Sequence, residues 1–107
     1  MLKMELRRYR TVGGHVPFSE WIGSLDSRVA GRVSAYVDRM KSGHWGDSRS
    51  VGQGVTELKI DFGPGYRVYY LRDGHTVVVL LCAGHKRSQK ADILRAQEYA
   101  ADYWRRK

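Results

Sequence analysis

The sequence has little cysteine and none of the common metal or nucleotide motifs. Cys82 is its single cysteine, so an intramolecular disulfide is excluded, and its place in an apolar run predicts a role in the core. The chain contains no Cys/His spacing typical of zinc sites, no GxGxxG motif and no P-loop. We therefore expect no metal site and no cofactor.

Long apolar runs are also missing. None approaches the roughly 20 residues of a membrane-spanning helix, and the N-terminal segment has no apolar signal-peptide core, so we expect a cytoplasmic protein. Acidic residues are scarce, since 11 Asp and Glu stand against 19 Lys and Arg, and the formal net charge is +8. This excess of positive charge favours a polyanionic partner. Nucleic acid, the ribosome, an anionic membrane and an acidic protein all fit this description.

The length of 107 residues predicts a single domain, spanning residues 1–107 with one core. A content of 42% hydrophobic and 28% charged residues is ordinary for a globular protein, which argues against extensive disorder. The sequence has no internal repeat and no sign of a domain boundary.

Residues 55–89 predict a three-stranded antiparallel meander that ends in a basic cluster. Its first strand, residues 55–62, alternates apolar and polar side chains, which is typical of a half-buried strand. The second strand, residues 66–71, follows a Gly-Pro-Gly turn, and the third, residues 76–83, follows an Asp-Gly turn. The third strand is continuously apolar, which predicts a central strand covered on both faces.

Side-chain parity constrains the first hairpin. A three-residue loop pairs Asp61 with Arg67 and Lys59 with Tyr69, whereas a two- or four-residue loop would turn one strand's faces over. We therefore predict that these four side chains share one face of the sheet.

The remaining sequence predicts helices around this sheet. Residues 1–10 alternate as a first strand, and residues 17–25 and 27–42 have the apolar spacing of two amphipathic helices. Residues 44–54 are rich in glycine and polar residues and predict a mobile connector, while residues 89–105 predict a terminal helix. The order β-α-α-β-β-β-α indicates an α+β domain of two layers, an antiparallel sheet packed by an N-terminal helical hairpin and a C-terminal helix.

Two surfaces of this predicted fold carry basic residues. The uncovered face of the sheet would present the row that contains Lys59 and Arg67. On the second helix, Arg28, Arg32 and Arg39 form a stripe. These three side chains are either simply solvated, with their stems along the edge of the core, or they contact a partner.

Three segments carry a family resemblance: LKIDFGPGYRVYY at residues 58–70, VVVLLCAGHKRSQKADILRA at residues 77–96, and the FSEW block within residues 18–28. In this combination and order the chain resembles the RelE/ParE superfamily of type II toxins. It is most similar to the HigB-like addiction module killer branch, the phage Gp49-like group. The resemblance spans nearly the whole chain and implies a RelE-like fold.

The resemblance implies a ribosome-dependent endoribonuclease that cleaves messenger RNA, inhibits translation and arrests growth. Its chemistry would be a metal-free transesterification, in which the ribose 2′-OH attacks the adjacent phosphate and leaves a cyclic phosphate and a 5′-OH. The implied partners are messenger RNA, the ribosome and a small co-encoded antitoxin with a helix-turn-helix fold, held in a hetero-oligomer, with no membrane partner. A ParE-like inhibitor of DNA gyrase and a non-catalytic nucleic-acid-binding domain stay open on the same fold.

The resemblance also implies site residues. Arg67 matches the family's strand arginine, whose guanidinium would bind two phosphate oxygens, and Lys59 matches a basic position on the preceding strand. Lys86 and Arg87 fall where the family has basic residues after its central strand. His85 is a candidate for proton transfer, because an imidazole titrates near neutrality, or else a turn residue without chemistry.

The chain departs from RelE itself at two positions. RelE has a second lysine near the position of Asp61 and a tyrosine in the terminal segment, where this chain has Ile93. Arg67 has a second interpretation, an ion pair with Asp61 across the hairpin. The predicted catalytic residues are Arg67, Lys59, His85 and Lys86, and the predicted RNA- or ribosome-binding residues are Arg87, Tyr69, Arg28, Arg32 and Arg39.

Overall fold

The computed structural model describes residues 3–107. Within them the chain forms β1 (Glu5–Arg8), α1 (Pro17–Gly23), α2 (Ser27–Asp38), β2 (Asp47–Ser50), β3 (Thr56–Ile60), β4 (Tyr66–Asp73), β5 (Val77–His85) and α3 (Gln89–Arg106). Short 3-10 helices span Arg39–Ser42 and Lys86–Ser88. The α+β class and the predicted element order are confirmed, with β2 as an additional strand. The predicted first strand began at Met1 and Leu2, which lie outside the described residues.

The strands form one sheet in the order β1-β5-β4-β3-β2. β1 runs parallel to β5, and the other neighbours are antiparallel, so the prediction of a purely antiparallel sheet is wrong at this edge. The connector predicted at residues 44–54 contains β2, which pairs with β3. Its sequence, DSRS, shows no apolar alternation, because an edge strand is held by backbone hydrogen bonds along one side.

Helices cover both faces of the sheet. On one face Phe18 of α1 and Val33 and Val37 of α2 belong to one core cluster with inward side chains of β3, β4 and β5. On the other face Ala96 and Ala100 of α3 belong to a second cluster, which contains Tyr69, Leu71 and Leu81. The prediction of an uncovered sheet face is therefore wrong, because the small alanines let α3 pack closely on it. None of the helices in residues 3–107 has the length and apolarity needed to cross a membrane.

The β3–β4 hairpin has a longer loop than predicted. Ile60 and Tyr66 are its last pair, so the loop is residues 61–65, and Lys59 lies opposite Arg67. The predicted pairing of Asp61 with Arg67 is wrong by two residues. Because a shift of two preserves parity, Lys59, Arg67 and Tyr69 still share one face. The loop closes with Gly65 at φ 82°, a conformation that favours glycine.

Candidate functional site

A basic concave surface lies at one end of the sheet, where the loop of residues 61–65 faces the turn between β5 and α3. A groove of about 700 Å³ is lined by Pro64, His85, Lys86 and Arg87, and we call it the sheet-end groove. The amide of Lys86 donates a 3.0 Å hydrogen bond to the carbonyl of Gly65, which joins the two walls. The three basic side chains are exposed, and none of the four described residues that line the groove is a carboxylate.

Arg67 lies beneath this groove and is only 5% exposed. Its Nη1 donates to the carbonyl oxygen of Tyr66 at 3.2 Å, and its Nε is buried without a hydrogen-bond partner. A Cβ added at Gly65 would lie 3.5 Å from Nη1 of Arg67 and 3.6 Å from Cβ of Lys86. The structure therefore brings Arg67 and Lys86 together against the bare backbone of Gly65.

The counter-charge of Arg67 is Glu57, which was not among the predicted site residues. Glu57 is 2% exposed and accepts hydrogen bonds from Arg49 at 3.0 Å, Tyr69 at 3.1 Å and Gln89 at 2.8 Å. Burial acts to raise the pKa of the Glu57 carboxyl, but the hydrogen bonds from Gln89, Arg49 and Tyr69 outweigh it and lower the pKa. Glu57 is therefore a buried carboxylate that links β2, β4 and α3.

The structure contradicts two of the predicted roles. Asp61 is exposed in the loop, and the ion pair of Arg67 is with Glu57, so the alternative of an Asp61–Arg67 pair is wrong. Tyr69 was predicted to contact RNA but is fully buried, and burial raises the pKa of its hydroxyl. It donates to Glu57 instead of facing a partner.

Lys59 and His85 lie on opposite faces of the sheet. Lys59 is exposed and shares the α3 face with Arg67, its neighbour in register. His85 pairs with Tyr66, and the two rings make an edge contact at 6.2 Å between centroids on the face of α1 and α2. The structure thus brings Arg67 beside Lys59 in register and close to Lys86 at Gly65, while His85 belongs to the other face of the same sheet end.

A buried carboxylate fixes the turn that carries these basic residues. Asp92, 5% exposed, accepts hydrogen bonds from Ser88 and from Arg95. A Cβ at Gly84 would lie only 1.9 Å from Oδ2 of Asp92, so only glycine fits at this position of β5. This contact anchors the first turn of α3 on the sheet, and sequence reasoning missed it because the two residues are eight positions apart on different elements.

The three arginines of the predicted stripe have different surroundings. The guanidinium of Arg32 lies 3.9 Å above the ring of Phe62 in the β3–β4 loop. Arg39 lies over Tyr36 of its own helical segment at 4.8 Å, and exposed Arg28 is 3.9 Å from Asp26. Of the three, Arg32 is the one that reaches the loop of the sheet-end groove.

Cys82 is buried, as predicted, and burial raises the pKa of its thiol to about 11. A thiol in this state is a core side chain rather than a nucleophile. Across residues 3–107, no three His, Cys, Asp or Glu side chains form a group that could hold a metal ion.

Comparison with known proteins identifies a family and a relative. The family model "Phage derived protein Gp49-like (DUF891)" matches residues 20–98, a range that contains the sheet-end groove, Glu57 and Asp92. An uncharacterized protein of Haemophilus influenzae is 38% identical over 86 residues, which cover 79% of this chain and 87% of that protein.

Proposed function

Because the chain belongs to the phage-derived Gp49-like family, a RelE/HigB-type family of toxins from toxin–antitoxin systems, we propose that it is a messenger RNA endoribonuclease. The proposed reaction is attack of the ribose 2′-OH on the adjacent phosphate, which breaks the bond to the 5′ oxygen. Cleavage of messages on the ribosome would stop translation.

The observation that carries this proposal is the sheet-end groove. Lys86 and Arg87 are exposed in it, no carboxylate lines it, and the guanidinium of Arg67 lies beneath it. Cations that converge on one open groove favour a phosphodiester ligand. A protein that only blocks another protein does not need a buried cation under an open basic groove, and this argues against a gyrase inhibitor.

We assign the chemical steps to these residues. His85 would exchange protons with the 2′-OH or the leaving 5′ oxygen, since histidine is the side chain that most often serves as a general acid or base. Lys86 would stabilise the negative charge that develops on the phosphate oxygens, and Arg87 would hold a flanking phosphate. Arg67 supplies a fixed positive charge from below, because its guanidinium is held between the Tyr66 carbonyl and Glu57. Lys59 would contact the RNA on the face of the sheet that α3 covers.

The partner that restrains this activity would be a small co-encoded antitoxin with a helix-turn-helix domain, bound in a hetero-oligomer in the cytoplasm. A net charge of +8 favours an acidic antitoxin segment, because complementary charge speeds and orients association. Covering the sheet-end groove would block access of RNA.

The test is induced expression of this chain alone. We expect growth arrest, early loss of translation and new 5′-OH ends inside coding regions. The double variant Lys86→Ala/Arg87→Ala should relieve the arrest. Lys3→Ala/Lys41→Ala, which removes two exposed lysines whose segments meet through the Met4–Lys41 backbone bond, should not. Gyrase-linked DNA breaks with intact transcripts, or normal growth with soluble, intact protein, would reject the endoribonuclease proposal.

A further inference from the structure

Arg32 has surroundings that distinguish it from the other arginines of α2. The central carbon of its guanidinium lies over the Phe62 ring, 3.9 Å from the ring centroid. The residue is exposed, and within residues 3–107 no carboxylate pairs with it. The guanidinium therefore contacts an aromatic ring and, in an exposed residue, remains accessible to a ligand.

This platform is continuous with the sheet-end groove. Phe62 belongs to the same loop as Pro64, which lines the groove. The rings of Phe62 and Tyr66 are 5.3 Å apart between centroids, and those of Tyr66 and His85 are 6.2 Å apart. A row of ring contacts thus leads from Arg32 on the helical face to His85 at the end of the sheet.

A stacked guanidinium is suited to one kind of ligand. Single-stranded RNA is recognised largely by stacking of its unpaired bases on aromatic rings and on arginine planes. Because Phe62 already holds the plane of Arg32, less side-chain freedom is lost when a base stacks on the open face. A lysine at this position would keep the charge but offer no plane.

We propose that Arg32, supported by Phe62, is a stacking subsite for a base of single-stranded RNA next to the nucleotide held in the sheet-end groove. The subsite rests on the proposed function, because it extends the path of the same RNA strand onto the α1–α2 face. The subsite would select unpaired bases and reject duplex RNA, whose bases are stacked on one another and cannot reach the platform.

The experiment measures binding of a short fluorescent single-stranded RNA in which every 2′-hydroxyl is methylated. Methylation removes the nucleophile of the proposed reaction, so binding is read without cleavage. Arg32→Lys and Phe62→Leu should each weaken binding about tenfold, the size expected for one stacked base. The matched control is Arg72→Lys, which makes the same change at an exposed arginine that lies over the ring of Trp45, and it should bind like the unmodified chain.

A second probe separates stacking from charge. On the same backbone with abasic positions, the unmodified chain should bind more weakly, and its advantage over Arg32→Lys should disappear. Equal binding of base-containing RNA by Arg32→Lys and the unmodified chain, at equal melting temperature, would overturn the subsite. The subsite would also be overturned if Arg32→Lys bound abasic RNA more weakly than the unmodified chain. The same holds if Arg32→Lys weakened only the binding of an antitoxin. If native RNA stays uncleaved while the Arg32-dependent binding holds, the endonuclease proposal fails and the subsite does not.

Discussion

The Nε atom of Arg67 lies 3.8 Å from Oε1 of Glu57, and their side chains are 7% and 2% exposed. The two residues stand on neighbouring strands, and Glu57 also pairs with Arg49. Taking opposite charges out of water costs several kcal/mol, which their attraction offsets only while both are present. The ion pair between Arg67 and Glu57 therefore stabilises the part of the sheet that carries the sheet-end groove.

Loss of Glu57 should destabilise the protein strongly. Glu57→Ala leaves Arg67 as a buried cation without its partner, and we expect the free energy of unfolding to fall by about 3–5 kcal/mol. Urea unfolding measures this change. The control is Asp61→Ala in the exposed loop, for which we expect a change within about 0.5 kcal/mol. A loss below about 1 kcal/mol for Glu57→Ala would mean that the pair does not hold β3 to β4.

The pH dependence of stability follows from the same carboxylate. The pKa of Glu57 is lowered in the folded state, as burial is outweighed by hydrogen bonds from Gln89, Arg49 and Tyr69, and the pKa of Asp102 is lowered by the hydrogen bond from Tyr9. The unfolded chain therefore binds protons first as the pH falls. Their contribution is fully present above the ordinary carboxyl pKa and is lost as the pH falls below about 4.5.

Urea midpoints measured from neutral pH into this acidic range should decrease in the unmodified chain. Glu57→Gln removes one of the titrating groups, so its profile should be flatter, whatever its stability at neutral pH. Parallel profiles for the two proteins would contradict the lowered pKa of Glu57.

Gly84 should tolerate no side chain. Gly84→Ala places a Cβ 1.9 Å from Oδ2 of Asp92, and we expect a loss of about 1–3 kcal/mol in unfolding free energy with displacement of the start of α3. Gly31→Ala is the matched control, because nothing lies within 4 Å of its Cβ, and it should gain about 0.5–1 kcal/mol in the helix. A double-mutant cycle with Asp92→Ala should show coupling, and simple additivity would refute the steric explanation.

His85 and His75 form a second matched pair, at opposite ends of β5 and both exposed. If His85 transfers protons, His85→Ala should lower the cleavage rate by about 10²-fold or more. His75→Ala should leave the cleavage rate unchanged, and neither variant should shift the melting temperature. Cleavage by His85→Ala at the unmodified rate would exclude His85 from the chemistry.

Much of the fold follows from local patterns in the sequence. Alternation located β3 and the Gly-Pro-Gly turn located β4, and parity placed Lys59, Arg67 and Tyr69 on one face even though the register was wrong. Loops of three and five residues have the same parity, so parity could not distinguish the predicted pairing from the observed pairing of Ile60 with Tyr66. β2 stayed hidden because backbone pairing at a sheet edge leaves no apolar pattern in the side chains.

The candidate site was less predictable, because the residues that contact one another in it are distant in sequence. The exposed basic turn was found, but the position of α3, which buries Tyr69, depends on tertiary packing. One signal was available in the sequence: by parity, Glu57 and Arg67 share one face of adjacent strands. Two opposite charges on one face of neighbouring strands predict an ion pair between them.

The parallel pairing of β1 with β5 has a consequence for biosynthesis. Glu5 leaves the ribosome early, but its partner Val77 is translated only after the whole β2–β4 region. The edge of the sheet therefore remains open while most of the polypeptide is being made, since distant strands close last. The turn at residues 85–87 is anchored later still, by α3. A nascent chain acquires its sheet-end groove only when its own synthesis is nearly finished.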